Sequence, residues 1–79
     1  MKETELAQKA IDYLKNEYNE ETISMTVMNN SVSEGSGILQ VECTVCIGKY
    51  HSDWKKWFTF KDGSIISMSW EQKPSRQQH

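Results

Sequence analysis

The sequence predicts an α+β fold, with an N-terminal helix packed across one face of a four-stranded antiparallel meander sheet, in the order α-β-β-β-β. Three observations carry this. Residues 3–18 repeat apolar side chains at spacings of three and four, the period of a helix with one buried stripe. Ile38–Ile47 alternates apolar and polar residues from Leu39 onward, the period of a strand with one buried and one open face. Asp62-Gly63 stands between two further strand-like runs, a strong short-range hairpin signal.

The helical stripe is Leu6, Ala10, Ile11, Leu14 and Tyr18, flanked by Ala7 and Tyr13, with Lys9, Asp12, Lys15 and Asn16 opposite. Thr4 or Glu3 is the expected cap, and acidic residues in the first turn suit the positive end of the helix dipole. A helix of about 15 residues is marginal alone in water, so its stripe requires a surface to cover. Thr22–Met28 is rich in β-branched residues and places Ile23, Met25 and Val27 on one face. Asn29 to Gly37 reads as a polar loop.

Ile38–Ile47 is the expected central strand, because ten residues span roughly 33 Å and so long a strand needs a neighbour on each side. Its odd positions, Leu39, Val41, Cys43, Val45 and Ile47, should meet the helix together with Ile23, Met25 and Val27. Gly48 to Asp53 reads as a turn. The runs Trp54–Lys61 and Ser64–Glu71 then form the hairpin. A three-residue loop, Lys61-Asp62-Gly63, puts Phe58 and Phe60 on the face of Ile66, Met68 and Trp70, whereas a two-residue loop puts them on the face of Ile65, Ser67 and Ser69; the apolar pattern favours the first. Lys56 is the misfit on that face and calls for a bulge or a snorkelling stem. Residues 1–71 make one domain and 72–79 a frayed polar tail. The layout is similar to the helix-wrapped sheets of cystatin-like folds. The inhibitory hairpin motif of that family, of the type Gln-Val-Val-Ala-Gly, is absent, so the resemblance implies the layout alone.

Composition narrows the function. A formal net charge of −2 gives no general attraction to phosphate backbones, and the basic residues form only small groups, Lys55-Lys56 near Lys49 and Lys61, and Lys73 with Arg76. No apolar run is long enough for a membrane span, and the start has no signal-peptide character. The expectation is a cytoplasmic protein with reduced thiols. Cys43-Thr44-Val45-Cys46 has the spacing of redox and zinc motifs, but on a strand positions three apart face opposite ways, and only His51 and His79 are available as nitrogen ligands. Cys46 with His51 could pair as nucleophile and base but has no specific orienting group. No cofactor, metal site or enzymatic activity is therefore expected.

The open sheet face draws more interest. The favoured register gives it Thr22, Ser24, Thr26, Met28, Gln40, Glu42, Thr44, Cys46, Lys55, Trp57, Thr59, Ile65, Ser67, Ser69 and Glu71. Trp57 and Ile65, with Met28, Cys46 and Lys55, form the expected contact patch, since an exposed Trp is a common anchor for a partner. The expected function is a small non-enzymatic module that binds a protein partner or itself through this face or a free sheet edge. The alternatives are an inhibitor or regulator of a specific enzyme, a thiol or zinc site at Cys43 and Cys46, and single-stranded nucleic-acid binding by Trp54, Trp57 and Lys55-Lys56.

Overall fold

The computed structural model describes residues 1–73. Helix α1 runs Glu3–Tyr18 and buries Leu6, Ala10 and Leu14, three residues of the expected stripe. Ile11 is half-buried and Tyr18 is 41% exposed. The cap differs from expectation because the helix starts one residue earlier. Lys2 takes the cap position, and its backbone N–H donates to the Glu5 carboxylate at 3.0 Å. At the other end Asn19 adopts the left-handed conformation (φ 58°). The Asn19 and Glu20 amides then donate back to the carbonyls of Lys15 and Leu14, which would otherwise be unsatisfied.

Four strands follow, β1 (Glu21–Asn30), β2 (Gly37–Ile47), β3 (Tyr50–Lys61) and β4 (Ser64–Gln72), in an open antiparallel meander of order β1-β2-β3-β4. The helix covers one face. Leu39, Val41, Cys43 and Val45 of β2 and Phe58 and Phe60 of β3 meet its stripe there. Each fully buried large apolar side chain contributes roughly 1.5–3 kcal/mol relative to exposure. Tyr13 closes one flank with its ring edge-on to Phe58, centroids 6.1 Å apart.

Bulges account for most departures from the expected pattern. In β1 the pairing with β2 skips Ile23 and Met28. Each skip exchanges the two faces, so Thr22 stands opposite Val45 on the core side and Ile23, expected in the core, is 58% exposed. Met25 and Val27 keep their inward places opposite Cys43 and Val41. Ile47, also expected in the core, is the last residue of β2, opposite Tyr50, and is 49% exposed. The turn before β3 is only Gly48-Lys49, with Gly48 at φ 62°, so His51, Ser52 and Asp53 belong to the strand.

The last hairpin corrects the expected loop. Lys61 pairs with Ser64, which leaves Asp62-Gly63 as a two-residue loop with both φ positive, at 51° and 84°. Phe60 then pairs with Ile65, the register skips Ile66, and Phe58 pairs with Met68. The bulge restores the facing that the apolar pattern demands: Phe58, Met68 and Trp70 share the helix side. Ile65 moves to that side as well, and Ile66 is left 59% exposed. Gly35 fastens this hairpin to the loop before β2. Its carbonyl accepts the Gly63 N–H at 2.9 Å, and a Cβ on Gly35 would stand 2.8 Å from that nitrogen. The expected tail begins too early: Gln72 pairs with Trp54, and Lys73 donates its backbone N–H to Asp53. The remainder of that tail lies outside the described residues.

Candidate interaction surface

The open face is built in rows across the strands. Trp57 stands between Gln40 and Ser69, and Lys55 between Glu42 and Glu71. Thr44 donates its hydroxyl to Asp53 at 2.6 Å, and the Lys73 ammonium reaches Glu42 at 3.1 Å. A shallow polar pocket of about 210 Å³ lies among Ser24, Thr26, Thr44 and these charged groups. Trp57 is half-buried by its neighbours.

The five residues expected to form one patch do not converge. Trp57 and Lys55 share the open face two positions apart on β3. Ile65 is on the opposite face, against Phe60, because the bulge lies beyond it. Met28 is the skipped residue of an outer strand and is 52% exposed. Cys46 sits near the far end of β2, opposite His51 on one side and Glu21 on the other. Its thiol donates to the Gly48 carbonyl, at 3.1 Å, so the Cys46–His51 juxtaposition carries no observed proton relay. Cys43 is buried on the other face, and burial pushes its thiol up to about 11, with Lys56 nearby partly offsetting the shift. The two thiols of the C-x-x-C are free and separated by the sheet. Among the described residues no group of three or more His, Cys, Asp or Glu side chains is placed to hold a metal ion.

The helix side holds a feature that sequence reasoning marked only as a misfit. Lys56 neither bulges nor reaches solvent. It is 2% exposed, and its ammonium meets Glu20 at 3.1 Å and lies over the Trp54 ring, 4.9 Å from the centroid. Glu20 is available because the left-handed Asn19 turns the chain down toward the sheet. Trp54 is steadied by its indole N–H, which donates to Ser52 at 2.8 Å. Tyr18 and Trp70 stand edge to face, 6.3 Å apart, above the ion pair. Together with Met68 these groups line a pocket of about 180 Å³ with aromatic walls and a charge-neutral floor. Two of its lining residues reach solvent, Trp70 of β4 at 53% exposed and Tyr18 of the helix at 41%. The signal for it in the sequence was Lys56 at an apolar position between Trp54 and Phe58; Glu20, distant in sequence, gave none.

The outer strands present two unlike edges. β1 is interrupted by its two bulges, begins with Glu21, which pairs with Lys15 at 2.6 Å, and ends in Asn29-Asn30. β4 carries no charged residue from Ser64 to Trp70, and its one bulge lies near the hairpin. From Ser67 to Gln72 its pairing with β3 is regular, and among the described residues no strand pairs with its other side. A row of unpaired backbone donors and acceptors beside an exposed Trp is a template for another strand. No helix of the described residues is long and apolar enough to cross a membrane.

No protein-family model, curated protein or solved structure matches this chain.

Proposed function

We propose that this chain is a small non-enzymatic module that self-associates by strand addition, a second copy pairing its β4 against β4 of the first. The observation that carries the reading is the contrast at the sheet edges: β4 pairs regularly from Ser67 to Gln72 and carries a single charge, Glu71, beside an exposed Trp70, whereas β1 is bulged twice. Pairing about a two-fold axis would make one eight-stranded sheet with both helices on the same side. The open face would then run continuously across both copies, with Trp57 and Lys55 of each on the platform. A second copy suits the edge because β4 is close to its own complement, small serines on one face and Met68 and Trp70 on the other. A platform of joined open faces offers any further partner two identical sites, so avidity follows from the assembly itself.

Sedimentation velocity over a concentration series tests this. The expected species has twice the 9.2 kDa chain mass and dissociates on dilution. Ser69→Lys, on the open face of β4, should hold the chain monomeric with an unchanged circular dichroism spectrum, and Thr26→Lys on β1 should leave association intact. A monomer at every concentration, or equal loss in the two variants, overturns the reading.

A further inference from the structure

The strand-addition reading leaves the register and the role of the aromatic pocket open. We infer that the two-fold axis passes at Ser69, so that Met68 of each copy closes the other copy's aromatic pocket against Trp70. This inference rests on the proposed β4 pairing and adds to it the residue that each pocket receives.

Register selects the axis. Residues directly opposite in an antiparallel pair share a face, so a two-fold pairing must match apolar with apolar and polar with polar. An axis at Ser69 sets Trp70 opposite the second copy's Met68, both on the helix side, and Glu71 opposite Ser67, both on the open side. This pairing uses Ile66–Gln72 and stops at the bulge. Moving the axis to Met68 would put Glu71 opposite Ile65, which faces the helix side. Moving it to Ser67 would set Ser69 opposite Ile65. Moving it to Glu71 would set two carboxylates against each other, which is unfavourable. An axis at Trp70 keeps the faces matched but shortens the ladder to Met68–Gln72.

The pocket gives the same answer from the opposite side of the sheet. Its walls are the aromatic Tyr18, Trp54 and Trp70 together with the chain's own Met68, and its floor is already neutral because Lys56 is paired with Glu20 at 3.1 Å. A cationic side chain entering it would meet Lys56, and an anionic one would meet Glu20. An unbranched apolar side chain with a polarisable sulfur suits it better, since thioether–aromatic contacts are favourable and methionine adapts to an irregular wall. The Ser69 axis brings the second copy's Met68 opposite Trp70, the exposed lining residue of the pocket on β4. The two pockets lie on one side of the joined sheet and close together, each by the other's methionine. Trp70, 53% exposed in the single chain, would become an interface anchor.

Disulfide trapping tests the register apart from the association. Ser69→Cys and Ser67→Cys are each made in a chain that also carries Cys46→Ala, leaving Cys43 buried. With the axis at Ser69, the two introduced thiols at that position face each other at the Cβ spacing of about 4.5–5.5 Å found across a strand pair, and mild oxidation should give a covalent dimer. At position 67 the two thiols would lie roughly 13 Å apart along the strands, at about 3.3 Å per residue, and should not join. A dimer trapped at 67 and not at 69 overturns the Ser69 axis while the edge pairing stands. A non-covalent dimer that neither variant traps overturns the Ser69 axis, and a chain that stays monomeric at every concentration overturns both the axis and the edge reading. As a second readout, tryptophan emission of the trapped Ser69→Cys dimer should shift to the blue relative to its reduced monomer as Trp70 leaves water. An unchanged emission would overturn the pocket closure even where the axis holds.

Discussion

The two outer strands of this sheet solve the edge problem in opposite ways. β1 gives up regular pairing twice, at Ile23 and Met28, and so exposes two large apolar side chains singly while spoiling its backbone as a template. β4 spends its single bulge at Ile66, where it corrects the facing set by the Asp62-Gly63 loop, and stays regular to Gln72. Exposed apolar residues therefore mean different things on the two sides. Ile23 and Met28 mark places where pairing is refused, whereas Trp70 stands beside backbone groups that are free to pair.

The two halves also differ in how they treat buried polar groups, and this yields the largest expected effect. On the β4 half the Lys56 ammonium is buried but paired with Glu20 and covered by Trp54. Glu20→Ala removes the counter-charge and leaves a cation in the core, which should cost about 3–5 kcal/mol in chemical denaturation. Lys56→Met together with Glu20→Leu should recover most or all of that, since well-packed apolar groups commonly replace a buried pair without loss. If Glu20→Ala costs less than a surface pair would, the ammonium reaches water and the pocket floor is not as neutral as the inferred closure by Met68 requires.

Cys43 reports on the β1 half, since it lies opposite Met25 and under the bulged strand. With its folded value near 11 against an ordinary 9.0, the thiol keeps its proton in the folded chain after it has lost it in the unfolded one. The associated stability is therefore intact below about pH 9 and falls as pH rises from there to 11, by up to about 1.4 kcal/mol per pH unit. Tyr13, also raised by burial first and by Tyr18 next, adds a fall of the same sign from about pH 10 upward. Cys43→Ala should flatten the earlier part of that fall in urea titrations at stepped pH. Alkylation gives the companion result: at neutral pH Cys46 should react at once and Cys43 only on global unfolding. Rapid reaction of both would mean that β1 opens locally, and the two edges would then differ in stability as well as in pairing.

Much of this was legible from periodicity. The period of two in Leu39–Ile47 fixed the face of β2, and the helical stripe located Leu6, Ala10 and Leu14, because those segments contain no irregularity. What failed in the strands turns largely on a bulge. A single skipped residue inverts the facing beyond it, which is why plain alternation places Ile23 in the core and Ile65 on the open face. The hairpin shows this sharply. Three residues in the loop, or two with a later bulge, put Phe58, Met68 and Trp70 on the same side, and side-chain pattern alone does not separate them. The pair Lys56–Glu20 was illegible for another reason: it joins residues far apart in sequence, and only the turn at Asn19 brings the carboxylate inward.

The smallest expected effect is a gain, and it isolates what the bulge at Ile23 costs. That bulge turns Thr22 inward, opposite Val45, where its hydroxyl oxygen is buried and has no hydrogen-bond partner among the described residues. A polar group removed from water and left unsatisfied costs about 1–3 kcal/mol, and a Val of nearly the same shape carries no such group. Thr22→Val should therefore stabilise the chain by about 1 kcal/mol, read as a higher urea midpoint at unchanged slope. The matching change on the other edge, Ser67→Val on the exposed side of β4, removes no buried group and should leave the midpoint of the monomer within about 0.5 kcal/mol. A gain at Ser67 equal to that at Thr22 would mean that β-propensity accounts for both. The inward turn of Thr22 would then impose no polar penalty, and the bulge would guard the β1 edge without a cost to the core.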